Sequence, residues 1–308
     1  MNIQDENPLV SIVVITYNSS KYVLETLESV KRQTYQNLEL VLSDDCSKDN
    51  TITIVKAWLE KNEERFARTA VVEATVNTGV SGNCNRGCKV SQGEYIKTIA
   101  GDDILEIDAI TEYVNYMLEN KSVSLIYAQV TLINEKSELT EIIKTKIAGK
   151  RLTFNKEFQS NMIFAPSIFY TREIYDKVNG FDENLKLEDI DFYLKILDKG
   201  GIIEYMPKTV AFYRIHSESL SQNNMLMLQE HVKTLDKYRH KKHFKWNYIN
   251  FTKNALYKQK TDNPNYDFYK MYKFFSQDHS FVFFIFLDLR FWFKYFFKNR
   301  IKRMLKLA

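Results

Sequence analysis

The sequence predicts an α/β fold, with a mostly parallel sheet over roughly the first 120 residues, helices on its faces and a helical C-terminal extension. Three observations lead there. Short runs rich in β-branched residues show no alternation of polar and apolar positions, the mark of strands buried on both faces. Segments of helical spacing separate these runs, and several runs end abruptly in small polar or acidic clusters. The chain has 308 residues, 44% of them hydrophobic and 14% aromatic, with only 4 prolines and 9 glycines. That length exceeds the usual ~100–200 residues of a domain, so one large domain with an appendage is expected. No internal period is visible.

Residues 11–16 (SIVVIT) read as the first strand, broken by Tyr17-Asn18-Ser19-Ser20, after which Val23, Leu27 and Val30 recur at helical spacing. The apolar run 38–42 stops at Ser43-Asp44-Asp45-Cys46-Ser47. Asp49, Asn50 and Thr51 then offer N-cap chemistry for a helix reaching Trp58 and Leu59. Further strands are expected at 70–74 and 95–100, the latter ending in Gly101-Asp102-Asp103. In open α/β sheets ligands bind beyond the carboxyl ends of the strands. Any one polar cluster there reads as a turn. The three clusters at Thr16-Tyr17-Asn18, Asp44-Asp45 and Asp102-Asp103 converge on one rim, which points to a binding site.

Several function classes drop out. The residues from Gly82 to Gly87 have the glycine spacing of a phosphate-binding loop, but Cys88-Lys89-Val90 follows where Lys and then Ser or Thr are required. No Gly-x-Gly-x-x-Gly follows the first strand, which argues against a dinucleotide dehydrogenase. A formal net charge of +4 calls for no nucleic acid partner. Cys84 and Cys88 lack the further ligands of a zinc site, and with Cys46 they make three thiols, which suits a reducing compartment. The first ten residues carry acids and no apolar leader segment, so the cytoplasm is expected.

The rim is acidic. Neighbours on an extended chain point to opposite sides, so Asp102 and Asp103 are expected to divide their work between a ribose hydroxyl and a cation. A diphosphate beside these carboxylates is repelled unless a divalent ion, manganese or magnesium, bridges the charges.

The order Val10-Ser11-Ile12-Val13-Val14-Ile15-Thr16-Tyr17-Asn18, Ser43-Asp44-Asp45-Cys46-Ser47-Lys48-Asp49-Asn50-Thr51, Asn77-Thr78-Gly79, Gly93-Glu94-Tyr95-Ile96 and Gly101-Asp102-Asp103 resembles the family 2 inverting glycosyltransferases of the GT-A fold, over roughly residues 8–220. The resemblance implies a Rossmann-like nucleotide-diphospho-sugar transferase domain over 1–220. Residues 1–120 would be its donor-binding half and 121–220 its acceptor or catalytic half, with a helical, basic and aromatic region over 221–308. It implies a donor site of Thr16, Tyr17, Asn18, Asp45, Asn77 and Asp102, with Tyr17 stacking on uracil and Asp45 accepting its imide N–H. Asp103 is implied as the metal ligand. Two positions depart from the family pattern: Cys46 stands where glycine is usual, and Cys84 where an arginine often precedes the matching Asn85. Arg86 or Lys89 is available to replace that arginine.

Val178-Asn179-Gly180-Phe181-Asp182-Glu183 and Leu187-Glu188-Asp189-Ile190-Asp191 resemble the family's Glu-Asp motif opening a helix. Acids at a helix N-terminus also complement its dipole. The surrounding matches favour Asp189 as general base and Glu188 as its neighbour. Further on, Phe212-Tyr213-Arg214-Ile215-His216-Ser217 resembles a site-closing loop, with Arg214 assigned to donor phosphate and His216 to phosphate or metal.

Residues 281–297 (FVFFIFLDLRFWFKYFF) are apolar but interrupted by Asp288, Arg290 and Lys294, too soon for a spanning helix. Arg290, Lys294, Lys298, Lys302 and Lys306 follow at i,i+4, the pattern of a helix lying on an anionic membrane. A helix docked on the main domain is the other reading. The resulting expectation is a peripheral, cytoplasmic-face, metal-dependent enzyme that moves a sugar from a UDP-sugar to a lipid-linked saccharide in bacterial surface polysaccharide synthesis. The alternatives are a protein or soluble acceptor, or an inactive nucleotide-sugar-binding scaffold at the membrane.

Overall fold

Unbroken apolar runs become the central strands of a nine-stranded sheet in this computed structural model, which describes residues 7–143, 150–160, 163–217, 219, 224–242, 244 and 247. Strands β1 (Val10–Thr16), β2 (Leu38–Asp44), β3 (Arg68–Glu73) and β4 (Tyr95–Ala100) lie in the order β3-β2-β1-β4, all parallel. The register carries β1 from Val10 opposite Leu38 to Thr16 opposite Asp44, so the two polar clusters emerge side by side. Ile12 and Val14 face one core while Val13 faces the other, joined there by Val41 and Ile96. Cover on both faces is why these strands read as continuous hydrophobic runs. Strand β3, at the sheet edge, is only half-buried and begins at Arg68, two residues before its expected start.

Helices α1 (Val23–Lys31), α2 (Thr51–Asn62) and α4 (Ala109–Glu119) bury apolar stripes such as Val23, Leu27 and Val30. Helix α3 (Gly79–Val90) works differently: its buried face includes Ser81, Gly82, Asn83, Asn85 and Gly87. A Cβ at Gly87 would lie 2.4 Å from Val13 Cγ1 and 3.1 Å from Ser43 Cβ, so glycine there lets the helix settle onto β1 and β2.

Beyond β4 the sheet becomes mixed, as expected for the segment after residue 120. Strand β8 (Phe169–Thr171) runs antiparallel to both β4 and β6 (Leu125–Ile133). Strand β9 (Ile203–Arg214) pairs in parallel with β6 and antiparallel with β5 (Ile104–Leu105), while β7 (Leu139–Ile143) pairs antiparallel with β6. Helices α5 (Phe154–Ser160), α6 (Arg172–Lys177), α7 (Asp189–Asp198) and α8 (Asn224–Asp236) complete the described elements.

The first compact unit continues through Tyr238. Tyr238 donates to Asp191 Oδ1 at 3.1 Å, and Lys237 pairs with Asp182 at 2.6 Å and Asp191 at 2.7 Å. The apolar stretch 281–297 and the basic stripe lie outside the described residues. Among the described residues no helix is long and apolar enough to cross a membrane.

Candidate active site

The carboxyl ends of β1, β2 and β4 meet at a rim whose polar side chains hold one another. Thr16 is buried, its hydroxyl donating to Asp44 Oδ1 at 2.7 Å and its carbonyl accepting from the Asp45 amide at 2.9 Å. Asn18 and Cys46 turn the chain with φ of +50° and +67°. The left-handed region favours glycine, so the strain at Cys46 explains why glycine is the usual residue there. Asn18 accepts the Lys48 amide at 2.8 Å, which pins the two turns together. Tyr17, 49% exposed, stands clear of these contacts with its ring at the surface.

Asp45 is buried at the N-terminus of α3. Its carboxylate accepts Thr78 N–H at 2.9 Å, Thr78 Oγ1–H at 2.7 Å and Gly79 N–H at 2.7 Å. Arg86 donates to the same carboxylate at 3.1 Å and to Asn83 Oδ1 at 2.9 Å, whereas Lys89 lies 4.0 Å from Glu183. Of the two bases offered as a replacement for the missing arginine, Arg86 is the one beside Asp45. Asn77 is exposed and accepts the Gly79 amide at 3.1 Å.

Past the end of β4, Gly101 and Asp102 form a turn closed by Asp103 N–H on Ala100 O at 3.2 Å, and it is this turn rather than an extended chain that parts Asp102 from Asp103. The Asp102 carboxylate is partly exposed and lies 3.0 Å from His216 Nε2. Asp103 is 2% exposed, and its Oδ1 accepts the Arg214 amide at 2.9 Å. Burial and the Asp102 charge raise the Asp103 carboxyl well above its ordinary range. Lys97, buried in β4, donates to Pro166 O at 2.6 Å, and burial pushes its ammonium down to about 7 despite the Asp103 charge. The residue assigned to the metal by resemblance thus points inward, and Asp102 presents the reachable oxygen.

His216 also packs on Tyr22, ring centroids 5.2 Å apart. The Arg214 guanidinium, assigned above to donor phosphate, is buried and committed to protein partners, among them Asp102 O at 2.8 Å and Glu25 Oε2 at 2.7 Å. Tyr22, Glu25 and Ser137, which surround it, carry no motif and were not singled out in the sequence.

Glu188 and Asp189 open α7, and Asp189 Oδ1 accepts the Ile190 amide at 2.7 Å. Helix α3 ties this pair to the donor-side rim. Its first turn is capped by Asp45, and Ser81 donates to Leu185 O at 2.6 Å, three residues before Glu188. Farther along, Asn85 donates to Phe181 O at 2.9 Å and accepts the Phe181 amide at 2.9 Å. Gly180 has φ +58°, and a Cβ there would lie 2.6 Å from Asn85 Oδ1, so the turn before the acidic pair requires glycine. Recessed beside Cys84, the pair titrates unusually: burial and Asp189 push Glu188 up to about 8, and burial pushes Asp189 up to about 6. Raised values in a recess are how a carboxyl is poised for proton transfer near neutrality.

The donor set suits a divalent cation. Asp102 offers a partly exposed oxygen and His216 an imidazole nitrogen, donor types that a divalent cation accepts, and the two are hydrogen-bonded to each other at 3.0 Å. Among the described residues no three His, Cys, Asp or Glu side chains converge as a complete protein cage, so a cation held there would take its other ligands from substrate and water. A cleft of about 650 Å³ borders the 179–183 turn, lined by Lys89, Tyr175, Asp182 and Lys195 among others but by none of the rim residues.

Comparison with known proteins gives the family and the fold. The family model described as glycosyl transferase family 2 matches residues 11–178. The chain is 27% identical over 257 residues to a putative teichuronic acid biosynthesis glycosyltransferase, TuaG, of Bacillus subtilis, covering 82% of this chain and 98% of that one. It is 29% identical over 218 residues to an uncharacterized glycosyltransferase of Haemophilus influenzae, covering 70% and 83%. Among solved structures, S. aureus TarS 1–349 in complex with UDP-GlcNAc superposes with a TM-score of 0.64 at 19% identity, over 82% of this chain and 74% of that one. The mannosyltransferase PcManGT of Pyrobaculum calidifontis, in complex with GDP-Man and Mn2+, gives 0.61 at 16% identity over 84% and 77%.

Proposed function

The chain belongs to glycosyl transferase family 2 and is a glycosyltransferase of the GT-A fold, and from that premise we propose that it performs an inverting, cation-assisted transfer from a UDP-sugar to an acceptor hydroxyl. The observation that carries the proposal is the Glu188–Asp189 pair, with raised carboxyls, held by α3 beside the rim that contains Asp45.

Each residue then has a task. Tyr17 supplies an exposed ring for the base, while Asp45, 2% exposed and already accepting from Thr78, Gly79 and Arg86, anchors the start of α3 beside the polar edge of the base rather than offering it the oxygen that the resemblance implied. Asn77 flanks that edge, while Thr16 and Asn18 set the floor. Asp102 and His216 would hold manganese or magnesium, with Asp103 behind them accepting the Arg214 N–H and fixing the turn. When bound, the cation neutralises charge that accumulates on the departing diphosphate. The acceptor oxygen forms a bond to the anomeric carbon as the bond from that carbon to the diphosphate oxygen breaks. Asp189 takes the acceptor proton and the nucleoside diphosphate carries away the electron pair.

A base held near 6 must be ionised to work. Transfer measured as kcat/KM should therefore fall about tenfold per pH unit below about 6, because that parameter reports the free enzyme. An acid limb at the ordinary carboxylate value of about 4 would remove Asp189 as the base.

Similarity to the Bacillus protein, a putative teichuronic acid biosynthesis glycosyltransferase, supports an acceptor in bacterial surface polysaccharide assembly. A lipid-linked saccharide on the cytoplasmic face suits the apolar and basic 281–308 segment, which would anchor the enzyme to anionic lipid. Removing residues from about 280 onward should release the protein from phosphatidylserine-containing vesicles while donor hydrolysis persists. Undiminished vesicle binding argues for a helix docked on the catalytic domain.

A further inference from the structure

Arg214 ends β9 at the point where the chain leaves the sheet for His216. Its donors go in four directions, all inside the protein. The backbone N–H serves Asp103 Oδ1 at 2.9 Å, and Nε serves Asp102 O at 2.8 Å. Nη1 reaches Ser137 Oγ at 2.9 Å and Asn134 O at 3.2 Å, in the β6–β7 turn. Nη2 reaches Glu25 Oε2 on α1 at 2.7 Å, and the guanidinium lies 4.6 Å from the centre of the Tyr22 ring. The opposite side of that network continues to the site, since Tyr22 also packs on His216, whose Nε2 lies 3.0 Å from Asp102. With 1% exposure, the side chain lacks the access a phosphate needs, and four of its five guanidinium N–H groups already serve protein acceptors.

We infer that Arg214 is a positioning residue, a clamp that fixes the Asp102–Asp103 backbone and the His216 ring in the relation a divalent cation needs. The fork geometry explains the choice of residue. A lysine carries the same charge but cannot bond the Asp102 carbonyl, the Ser137 hydroxyl and the Glu25 carboxylate at once in one plane. Glu25 completes the clamp from the surface, accepting from both Arg214 and the Ser137 hydroxyl at 2.8 Å. A small shift here matters because ligands displaced by a fraction of an ångström lose a cation, and loss of such supporting contacts typically weakens metal affinity ~10–100-fold.

The inference rests on the proposed cation role of Asp102 and His216, so its test has two arms on the full chain. Arg214→Lys, Arg214→Met and Glu25→Gln are compared with the unaltered protein by amide hydrogen exchange without ligand and by UDP binding with manganese or with chelator. Arg214→Lys should speed exchange by tenfold or more at residues 102–105 and 215–216 while β1 and β2 stay protected. It should also weaken the manganese-dependent gain in UDP affinity ~10–100-fold, with UDP binding in chelator unchanged. Glu25→Gln should move both readouts the same way by less, and it guards against a misfolded Arg214→Met. Unchanged local exchange in Arg214→Lys, or a rise spread evenly over β1 and β2, overturns the clamp. If the unaltered protein shows no manganese gain, the cation reading fails instead, and the exchange arm still decides the clamp.

Discussion

Asp189→Asn is expected to lower transfer by ~10²–10⁴-fold, the usual contribution of a positioned general base, with UDP affinity nearly unchanged. Asparagine keeps the shape and still offers an oxygen to the Ile190 amide, which Asp189 Oδ1 now accepts at 2.7 Å. It cannot take up the acceptor proton near neutrality. That hydrogen bond survives, so thermal stability should change little, and that separates chemistry from folding. Steady-state transfer at saturating donor and acceptor is the measurement. Near-normal transfer would return the Glu188–Asp189 pair to the service of the helix dipole, with Asp191 poorly placed to replace it because its carboxylate is already paired with Lys237 at 2.7 Å.

Asp102→Asn should fail in a different manner. Transfer in manganese should fall at least ~10²-fold, and the metal-dependent part of UDP binding should vanish, because a Lewis acid acts on the diphosphate both before and during its departure. The Asp102 side chain is partly exposed and, among the described residues, is hydrogen-bonded to His216, so the fold should tolerate the change. Asp103→Asn should cost less, since burial and Asp102 already favour the neutral form of that carboxyl and the amide oxygen still accepts the Arg214 N–H. Calorimetry of UDP binding with manganese and with chelator ranks the two. The opposite ranking would restore Asp103 as the direct ligand, and equal affinity with and without metal would sink the cation role altogether.

Strands β1, β2 and β4 were legible because burial on both faces leaves an unmistakable apolar run ending in polar residues. Helix α3 was not, although it joins the two halves of the site. Its inward face mixes Ser81, Asn83, Asn85 and Gly87 with the core cysteines Cys84 and Cys88, so the helical period Val80-Cys84-Cys88 is carried by small residues among polar ones and is easily passed over. Strands β5 and β8, of two and three residues, fall below the length at which a pattern can be counted. Within the site, Asp45, Asp102 and Asp189 were visible from motif and position. Which of two adjacent carboxylates faces His216 depends on β9, more than a hundred residues away in the chain, and Arg214 could be recognised as a clamp only once Glu25, Asn134 and Ser137 were seen around it.

The pairing of Ile104 with Phe212 and Leu105 with Ala211 also sets an order in time. During synthesis the parallel sheet of β1 to β4 can close as soon as residue 100 has emerged, whereas the acidic turn that follows has Thr26 and Ser29 of α1 to hold it but lacks its strand partner until β9 arrives. Contacts so distant along the chain form late, because the intervening loop must first be closed. The nascent chain should therefore pass through a stage with the rim of β1 and β2 in place and the Asp102–Asp103 turn still without β9. Cleavage by protease during refolding should show the turn after β4 becoming resistant together with β9, well after the first four strands.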